Sequence, residues 1–195
     1  EPKRVGLSLL FENYTLDEVL ALNNNCVKSF NHKEIKTMYL IWKKGLNAPL
    51  TSSVGRIFDA ICSLGSFSQT VGYEGESGLL IENEYDENIK EHYSYTIEKE
   101  IDLSKLITEV INEKDKNYIA SKFINTLCLI IIDIAKKYPA LPIILTGGVF
   151  QNKTLTQMVI KKLEEGKRKV YVQYDSPLND GGLSLGQIYY CINNL

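Results

Sequence analysis

The sequence is poor in the side chains that build metal centres and has little excess of either charge. It contains two histidines and four cysteines in 195 residues, and neither a Cys-x-x-Cys motif nor a close pair of histidines occurs. Neighbouring residues therefore supply no metal site, and no Ser-His-Asp or Cys-His catalytic arrangement is indicated. A formal net charge of −2 gives no general attraction to nucleic acid or to an anionic membrane. We expect neither as a partner, and we expect His32 and His92 at the surface.

Long hydrophobic runs are also missing. The longest strongly apolar run, residues 127–134, contains Asp133 and is too short to span a bilayer, and no signal peptide is recognisable. The cysteines are far apart and are predicted to be buried free thiols: Cys26, Cys62, Cys128 and Cys191. These features predict a reducing, cytoplasmic setting. The first residue is Glu rather than Met, which predicts a fragment or a processed protein.

The composition is that of a globular protein with a core, because 44% of the residues are hydrophobic and 24% are charged. Apolar spacing and breakers predict helices over residues 5–47, 54–64, 76–84, 105–112 and 117–137. Strands are predicted over residues 93–97, 141–145 and 169–174. The fold class is therefore α/β, with a helical part at about 1–92 and a sheet-containing part at about 93–195. A helical insert beside a short mixed sheet suits one lobe of a two-lobed nucleotide-binding protein.

The last third of the sequence contains two successive β-loop-α units, each with a glycine-rich loop. Gly147 and Gly148 follow the strand 141–145, and Gly181 and Gly182 follow the strand 169–174. If the strands are parallel and the crossover is right-handed, both loops open at the same edge of the sheet. Helix N-termini there present unpaired N–H groups, which suits a nucleotide or a phosphate. Asp180 in the second loop is placed to bind a cation.

Each of these features also has a simpler structural interpretation. The glycine pair matches neither a Walker A loop nor a Rossmann fingerprint and could form a plain tight turn. Asn152 could cap a helix or donate to a ligand, and Asp180 could cap the last helix. Arg56 and Asp59 are three residues apart, so they form either a surface ion pair or a pair of ribose or base contacts. Their spacing alone favours the ion pair.

Four motifs taken in order resemble one known family. They are Thr51–Ala60 (TSSVGRIFDA), Tyr73–Gly75 (YEG), Thr146–Asn152 (TGGVFQN) and Asn179–Gln187 (NDGGLSLGQ). Together they resemble the C-terminal part of the HypF family, the carbamoyltransferases of nickel–iron hydrogenase maturation, and the resemblance runs along the whole sequence.

The resemblance implies a TsaD-like region with a fold of the actin/Hsp70/sugar-kinase (ASKHA) type. It implies that ATP and carbamoyl phosphate give a carbamoyl-adenylate, and that the carbamoyl group passes to the C-terminal cysteine of HypE. The nucleotide would be held by seven residues: Thr146, Gly147, Gly148, Val149, Asn152, Arg56 and Asp59. In that scheme the Thr-Gly-Gly-Val loop holds phosphates, while Arg56 and Asp59 face the ribose or base. Asp180 would supply one ligand of a divalent metal ion.

The sequence also departs from the family pattern. It has no His-x-x-x-His pair for the metal, it lacks the acylphosphatase-like, zinc-finger and adenylating domains that lie upstream, and Thr146 stands where Ser is usual. We therefore expect the second lobe alone, with half of an active site and little activity without the upstream domains. Two other hypotheses remain, a related O-carbamoyltransferase of small molecules and a non-catalytic module that binds a nucleotide or HypE. The Tyr-Glu-Gly and Leu-Gly-Gln elements favour HypF.

Overall fold

Helices dominate the secondary structure. A computed structural model describes residues 1–173 and 175–194, so Tyr174, the last residue of one predicted strand, lies outside the described residues. The described residues form ten α-helices: α1 (Pro2–Asn13), α2 (Leu16–Ala21), α3 (Asn25–Lys28), α4 (His32–Lys43), α5 (Val54–Leu64), α6 (Glu76–Asn83), α7 (Ser104–Asn112), α8 (Lys116–Lys136), α9 (Lys153–Glu165) and α10 (Leu183–Asn194). They also form four strands: β1 (Thr96–Ile97), β2 (Ile101–Asp102), β3 (Ile143–Leu145) and β4 (Val170–Val172).

The predicted helices are confirmed, and polar cap residues explain several of their starts. The region 5–47 contains four separate helices, and both α2 and α4 begin with a capping box. In each box the cap side chain accepts from the backbone N–H three residues later, while a glutamate reaches back to the cap N–H. The caps are Thr15 with Glu18, and Asn31 with Glu34. Helix α5 has the predicted bounds, although the Ser53 side chain at its N-cap makes no capping bond.

Contacts within the chain define two compact units, Glu1–Thr126 and Leu127–Leu195. This division falls inside α8 and does not coincide with the change from helical to sheet-containing structure predicted near residue 92. In the first unit α5 is central, because every residue from Phe58 to Leu64 is buried. The Phe58 ring meets the Phe123 ring of α8 edge-on at a centroid distance of 4.9 Å. Such aromatic pairs stabilise a core by about 1 kcal/mol beyond the area they bury.

A buried polar stripe on α8 holds the irregular segment that follows α6. Ser121 Oγ accepts from the Asp86 N–H at 2.8 Å, and Thr126 Oγ1 accepts from the Tyr93 N–H at 2.8 Å. The Asn125 amide nitrogen donates to the carbonyls of Ile89 and Glu91, both at 2.9 Å. These side chains replace the backbone partners that the segment would otherwise lack, because a buried backbone group needs a hydrogen bond.

The same stripe explains why the predicted strand 93–97 is shorter than expected. The Tyr93 N–H donates to Thr126, and the Ser94 N–H donates to the Glu109 carboxylate at 3.2 Å. Strand pairing therefore begins only at Thr96, where β1 pairs antiparallel with β2. The Tyr93 ring is fully buried and packs in the core of the first unit.

By length and composition, helix α8 could cross a membrane, because an 18-residue stretch of it has a mean hydropathy of 1.7. However, 61% of that stretch is buried inside the protein. Core helices of soluble proteins meet the same criteria. Its buried polar side chains bind the neighbouring loop, as described above, and Leu127 and Ile130 are also buried. These observations favour a core helix.

The second unit contains the β-loop-α units, and its strands are parallel, which meets the condition under which both loops were predicted to share one edge. Ile143 pairs with Val170 and Leu145 with Val172. Pro142 precedes β3 and has no N–H to donate, which explains why the strand starts later than expected. Helix α9 buries one face through three residues at a spacing of four: Leu155, Val159 and Leu163. The expected single mixed sheet is wrong for the described residues, which form one antiparallel pair and one separate parallel pair.

Arg168 fastens the chain just before β4 to the end of α8. Its guanidinium donates to the carbonyls of Ala135 at 2.8 Å, Tyr138 at 2.6 Å and Leu141 at 2.7 Å. These carbonyls lie in the last turn of α8 and in the turn that leads to β3, where intrahelical donors have run out. The arginine therefore orders the entry to the parallel strands.

We expect Asn125→Asp to lower the free energy of unfolding by about 3 kcal/mol, because a buried carboxylate cannot donate to the two carbonyls that the amide now satisfies. Urea unfolding followed by circular dichroism measures this loss. Asn117→Asp, at an exposed position in the first turn of the same helix, is the matched control and should change stability by less than about 0.5 kcal/mol. Equal effects of the two variants would contradict the role of Asn125.

Candidate functional site

The loop after β3 makes a sharp turn that depends on a glycine. Gly147 has φ 101° and ψ 158°, a conformation that residues with a Cβ rarely adopt. A 3₁₀ turn, Gly148–Gln151, follows, and α9 then begins at Lys153. The predicted direct entry from the glycines into a helix is therefore interrupted by this short turn.

Two backbone donors in this loop have no partner in the described part of the chain. The N–H groups of Gly148 and Val149 donate to no carbonyl within residues 1–173 and 175–194. They precede the N-terminus of α9, where the helix dipole favours negative charge. A Cβ on Gly148 would approach no atom closer than 3.8 Å, so space for a ligand remains above the backbone. Thr146 is exposed and Val149 is partly buried beside these donors.

Asn152 serves as the helix cap and also leaves a donor free. Its Oδ1 accepts from the Leu155 N–H at 2.8 Å, which confirms the capping interpretation. Its Nδ2 is buried without a hydrogen-bond partner, in a residue that is only 8% exposed. A buried amide donor without an acceptor is costly, so this atom points to an acceptor that comes from a ligand.

The second loop is attached directly to the first. The Gly147 N–H donates to the Leu178 carbonyl at 2.9 Å, so both glycine loops lie at the same edge of the parallel pair, as predicted. Among the described residues, three buried side-chain polar atoms lack a partner, and two of them lie on these loops. They are Asn152 Nδ2 and Ser176 Oγ. Sequence patterns did not indicate Ser176, because a serine before a proline is typical of many turns and does not by itself predict a ligand contact.

The capping role considered for Asp180 belongs to Asn179 instead. Asn179 Oδ1 accepts from the Gly181 N–H at 3.0 Å, since the side chain one residue earlier is the one that reaches back over the turn. Asp180 is exposed, and while its backbone carbonyl accepts from the Leu183 N–H, its carboxylate forms no hydrogen bond or ion pair with the described residues. Its carboxylate is therefore available to a cation, but the described part of the chain contains no group of three or more metal-ligating side chains. Metal binding by this chain alone does not fit these residues.

Arg56 and Asp59 lie in the first unit and form the ion pair that their spacing favoured. The distance from Arg56 Nη1 to Asp59 Oδ2 is 2.8 Å. Asp59 is not a surface residue, however, because it is 8% exposed and its Oδ1 accepts from the Ser77 hydroxyl at 2.6 Å. The Arg56 side chain remains 45% exposed. The predicted ribose or base contact stays a prediction for both residues.

The cysteines differ from one another in exposure. Cys26, Cys62 and Cys128 are buried free thiols, as expected, whereas Cys191 is exposed on α10. The expectation for Cys191 is wrong because α10 buries none of its residues in this structure. Burial raises the pKa of the Cys26 and Cys128 thiols to about 11, and it also raises the pKa of Cys62. Both histidines are exposed, as predicted.

Comparisons with known proteins match the geometry just described. Residues 1–187 match the family model described as the carbamoyltransferase, Kae1-like domain, second subdomain. The chain is 30% identical over 207 aligned positions to the carbamoyltransferase HypF of Synechocystis, covering 96% of this chain and 27% of that protein. It is 30% identical to a probable carbamoyltransferase HypF of Methanocaldococcus jannaschii, covering 85% of this chain and 23% of that protein.

Solved structures agree. A full-length HypF in its phosphate- and nucleotide-bound form superposes with a TM-score of 0.84 at 30% identity, covering 99% of this chain and 27% of that one. HypF of T. kodakarensis gives a TM-score of 0.76 at 23% identity, which supports the fold alone.

The fold and the paired loops define the second subdomain of a Kae1-like carbamoyltransferase domain. The chain belongs to the HypF carbamoyltransferase family. It spans about a quarter of the length of the HypF relatives that it matches.

We expect one thiol of the folded chain to react quickly with a disulfide reagent at pH 8 and three to react only after unfolding. The three buried thiols have raised pKa values, so their reactive thiolate forms only at higher pH, while Cys191 is exposed. Absorbance of the released thiol measures the stoichiometry, and Cys191→Ser should remove the fast phase. Protection of Cys191 in the folded chain would show that α10 is covered in solution.

Proposed function

We propose that this chain is the nucleotide-binding half of a HypF carbamoyltransferase that modifies the C-terminal cysteine of HypE. In this proposal ATP and carbamoyl phosphate are the co-substrates, the setting is the cytoplasm, and neither nucleic acid nor a membrane is a partner. The chain forms the second lobe of an actin/Hsp70/sugar-kinase type domain. Its family membership and the names of its relatives support this proposal.

The observation that carries the proposal is the unpaired Asn152 Nδ2 on the loop after β3. The same loop offers the free N–H groups of Gly148 and Val149. Three donors on one turn before a 13-residue helix suit the acceptor-rich groups of a nucleotide. The similar HypF solved in a phosphate- and nucleotide-bound form supports a ligand of this class.

In this proposal the chain binds and orients, while the chemistry needs groups from elsewhere. The loop Thr146–Asn152 holds phosphate oxygens through N–H groups, and Arg56 with Asp59 contacts the ribose or base. Within the described residues no group of three or more His, Cys, Asp or Glu side chains is placed to hold a metal ion. A module that binds a nucleotide without turning it over is therefore the second candidate for the isolated chain.

The upstream HypF domains are the proposed partner of α10. No residue of this helix is buried, and its large apolar side chains are more than half exposed: Leu183, Leu185, Ile188, Tyr189, Tyr190 and Ile192. A helix with several exposed large apolar side chains is normally covered by other protein, and the matched relatives are about four times as long as this chain. HypE is proposed as the acceptor partner on the family resemblance.

A divalent metal ion is proposed only for the whole protein, with Asp180 as one ligand. Its exposed carboxylate has no partner among the described residues, and it lies in the second loop, whose Leu178 carbonyl accepts from the Gly147 N–H. A carboxylate next to phosphate is repulsive unless a cation lies between them. The remaining ligands would have to come from outside this chain.

We expect Gly148→Val to weaken ATP binding by about tenfold or more, because the branched side chain occupies the space where a phosphate approaches the free N–H groups. Calorimetric titration of ATP measures the affinity. Asn152→Ser should also weaken binding, since serine retains the cap of α9 but lacks the amide donor.

Circular dichroism and thermal unfolding control for folding in both variants. Gly147→Ala is not a suitable comparison, because the φ of 101° at Gly147 would strain any residue with a Cβ. Lys161→Ala, at an exposed position on α9, is the matched neutral control. ATP affinities equal to that of the unchanged protein in both loop variants would refute the proposed site.

We expect Asp180→Asn in the whole protein to lower both bound metal and carbamoylation of HypE, because the amide lacks the charge that a divalent cation requires. Elemental analysis measures the metal, and mass spectrometry of HypE measures transfer from carbamoyl phosphate and ATP. The melting temperature of the metal-free protein should hardly change, since Asn179 and not Asp180 caps the turn.

In a second experiment the isolated chain replaces the whole protein in the same carbamoylation assay, and we expect it to leave HypE unmodified. A stable metal content together with a lower melting temperature in Asp180→Asn would make Asp180 a structural residue. Carbamoylation of HypE by the isolated chain would overturn the division of labour proposed here.

A further inference from the structure

Three side chains form a hydrogen-bonded series that leads from the core of the first unit to its surface. We call Ser77, Asp59 and Arg56 the Arg56 network. Ser77 is 2% exposed and Asp59 is 8% exposed, whereas the Arg56 side chain is 45% exposed. The Ser77 hydroxyl donates to Asp59 Oδ1 at 2.6 Å, and Asp59 Oδ2 meets Arg56 Nη1 at 2.8 Å.

The network connects two helices that are separate in sequence. Arg56 and Asp59 lie on α5, and Ser77 lies in the first turn of α6, which packs against α5. Because the hydroxyl holds one carboxylate oxygen, the other oxygen has a fixed direction toward the guanidinium. An isolated surface pair at this spacing needs no buried third group, and it contributes only a few tenths of a kcal/mol.

Most N–H donors of the Arg56 guanidinium have no partner among the described residues. Arginine has five N–H groups, and among the described residues the only partner of Arg56 is Asp59, through Nη1. An arginine whose orientation is already fixed loses less side-chain entropy when it binds a ligand. The network therefore presents a pre-oriented donor group at the surface.

We propose that Ser77 and Asp59 are positioning residues that hold Arg56 for contact with the nucleotide. This inference rests on the proposed function, in which Arg56 and Asp59 contact the nucleotide. Asp59 has one oxygen on Ser77 and the other on Arg56, so it also holds the guanidinium in place. Ser77 is only 2% exposed, so its effect on the ligand passes through Asp59.

The test is a double-mutant cycle on ATP affinity in the whole protein, with Arg56→Ala, Ser77→Ala and the double variant. Arg56→Ala should weaken ATP binding by about tenfold, and Ser77→Ala by about three- to tenfold, because each removes a charge-assisted contact or its support. In the Arg56→Ala background Ser77→Ala should have no further effect on affinity. A purely structural serine would have the same effect in both backgrounds.

Ser63→Ala is the matched control. Ser63 is also fully buried, and its hydroxyl donates to Gln69 Oε1 at 2.6 Å, but it has no contact with Arg56. It should lower stability without a coupled change in ATP affinity. If Ser77→Ala fails to fold, Ser77→Cys decides instead, because a thiol of similar size is a weaker donor and should give a smaller effect in the same direction.

The outcomes separate the two proposals. Unchanged ATP affinity in Arg56→Ala would remove Arg56 from the proposed nucleotide site, while the loop variants at Gly148 and Asn152 would still test that site. Two results would overturn the positioning role alone, provided that Arg56→Ala weakens ATP binding. In the first, the Ser77 variants leave ATP affinity unchanged. In the second, Ser77→Ala lowers ATP affinity equally with Arg56 present and with Arg56→Ala.

Discussion

The candidate phosphate site depends on one backbone hydrogen bond, from the Gly147 N–H to the Leu178 carbonyl. This bond joins two loops that are 31 positions apart in sequence and brings their free donors to one edge of the parallel strands. The positive φ of Gly147 turns the chain that follows this N–H away from β3 and into the 3₁₀ turn. The bond requires the parallel register of β3 and β4, which brings both loops to the same end. Without it, Asn152 and Ser176 would lie on independent turns.

The first unit follows a related rule, in which buried polar side chains define the course of irregular backbone. Ser121, Asn125 and Thr126 on α8 satisfy the segment after α6. A fully apolar α8 would leave those backbone groups unpaired at a cost of about 1–3 kcal/mol each. The Arg56 network uses the same principle to hold a surface arginine. Polar groups in this core therefore specify geometry, while its apolar residues supply most of the driving force.

The distribution of chemistry fits a lobe that works with other domains. Donors for a nucleotide are present, yet the described residues contain no metal-ligating cluster, and α10 exposes six large apolar side chains. The chain covers 27% of the length of the full-length HypF whose structure is similar to it. A binding half with an uncovered helix is consistent with membership of a multidomain carbamoyltransferase family.

The sequence by itself determined the local features: the bounds of α5, the long α8, the parallel β-loop-α units and the order of the four family motifs. These follow from apolar periodicity, breakers and glycines, which act over a few residues. Tertiary structure decided the rest. Strand 93–97 was shortened because side chains of α7 and α8 took its N–H groups, Asn179 rather than Asp180 became the cap, and Ser77 reached Asp59 across a helix interface. Such outcomes depend on hydrogen-bond partners that are distant in sequence, and no local sequence pattern determines which distant residue will be the partner.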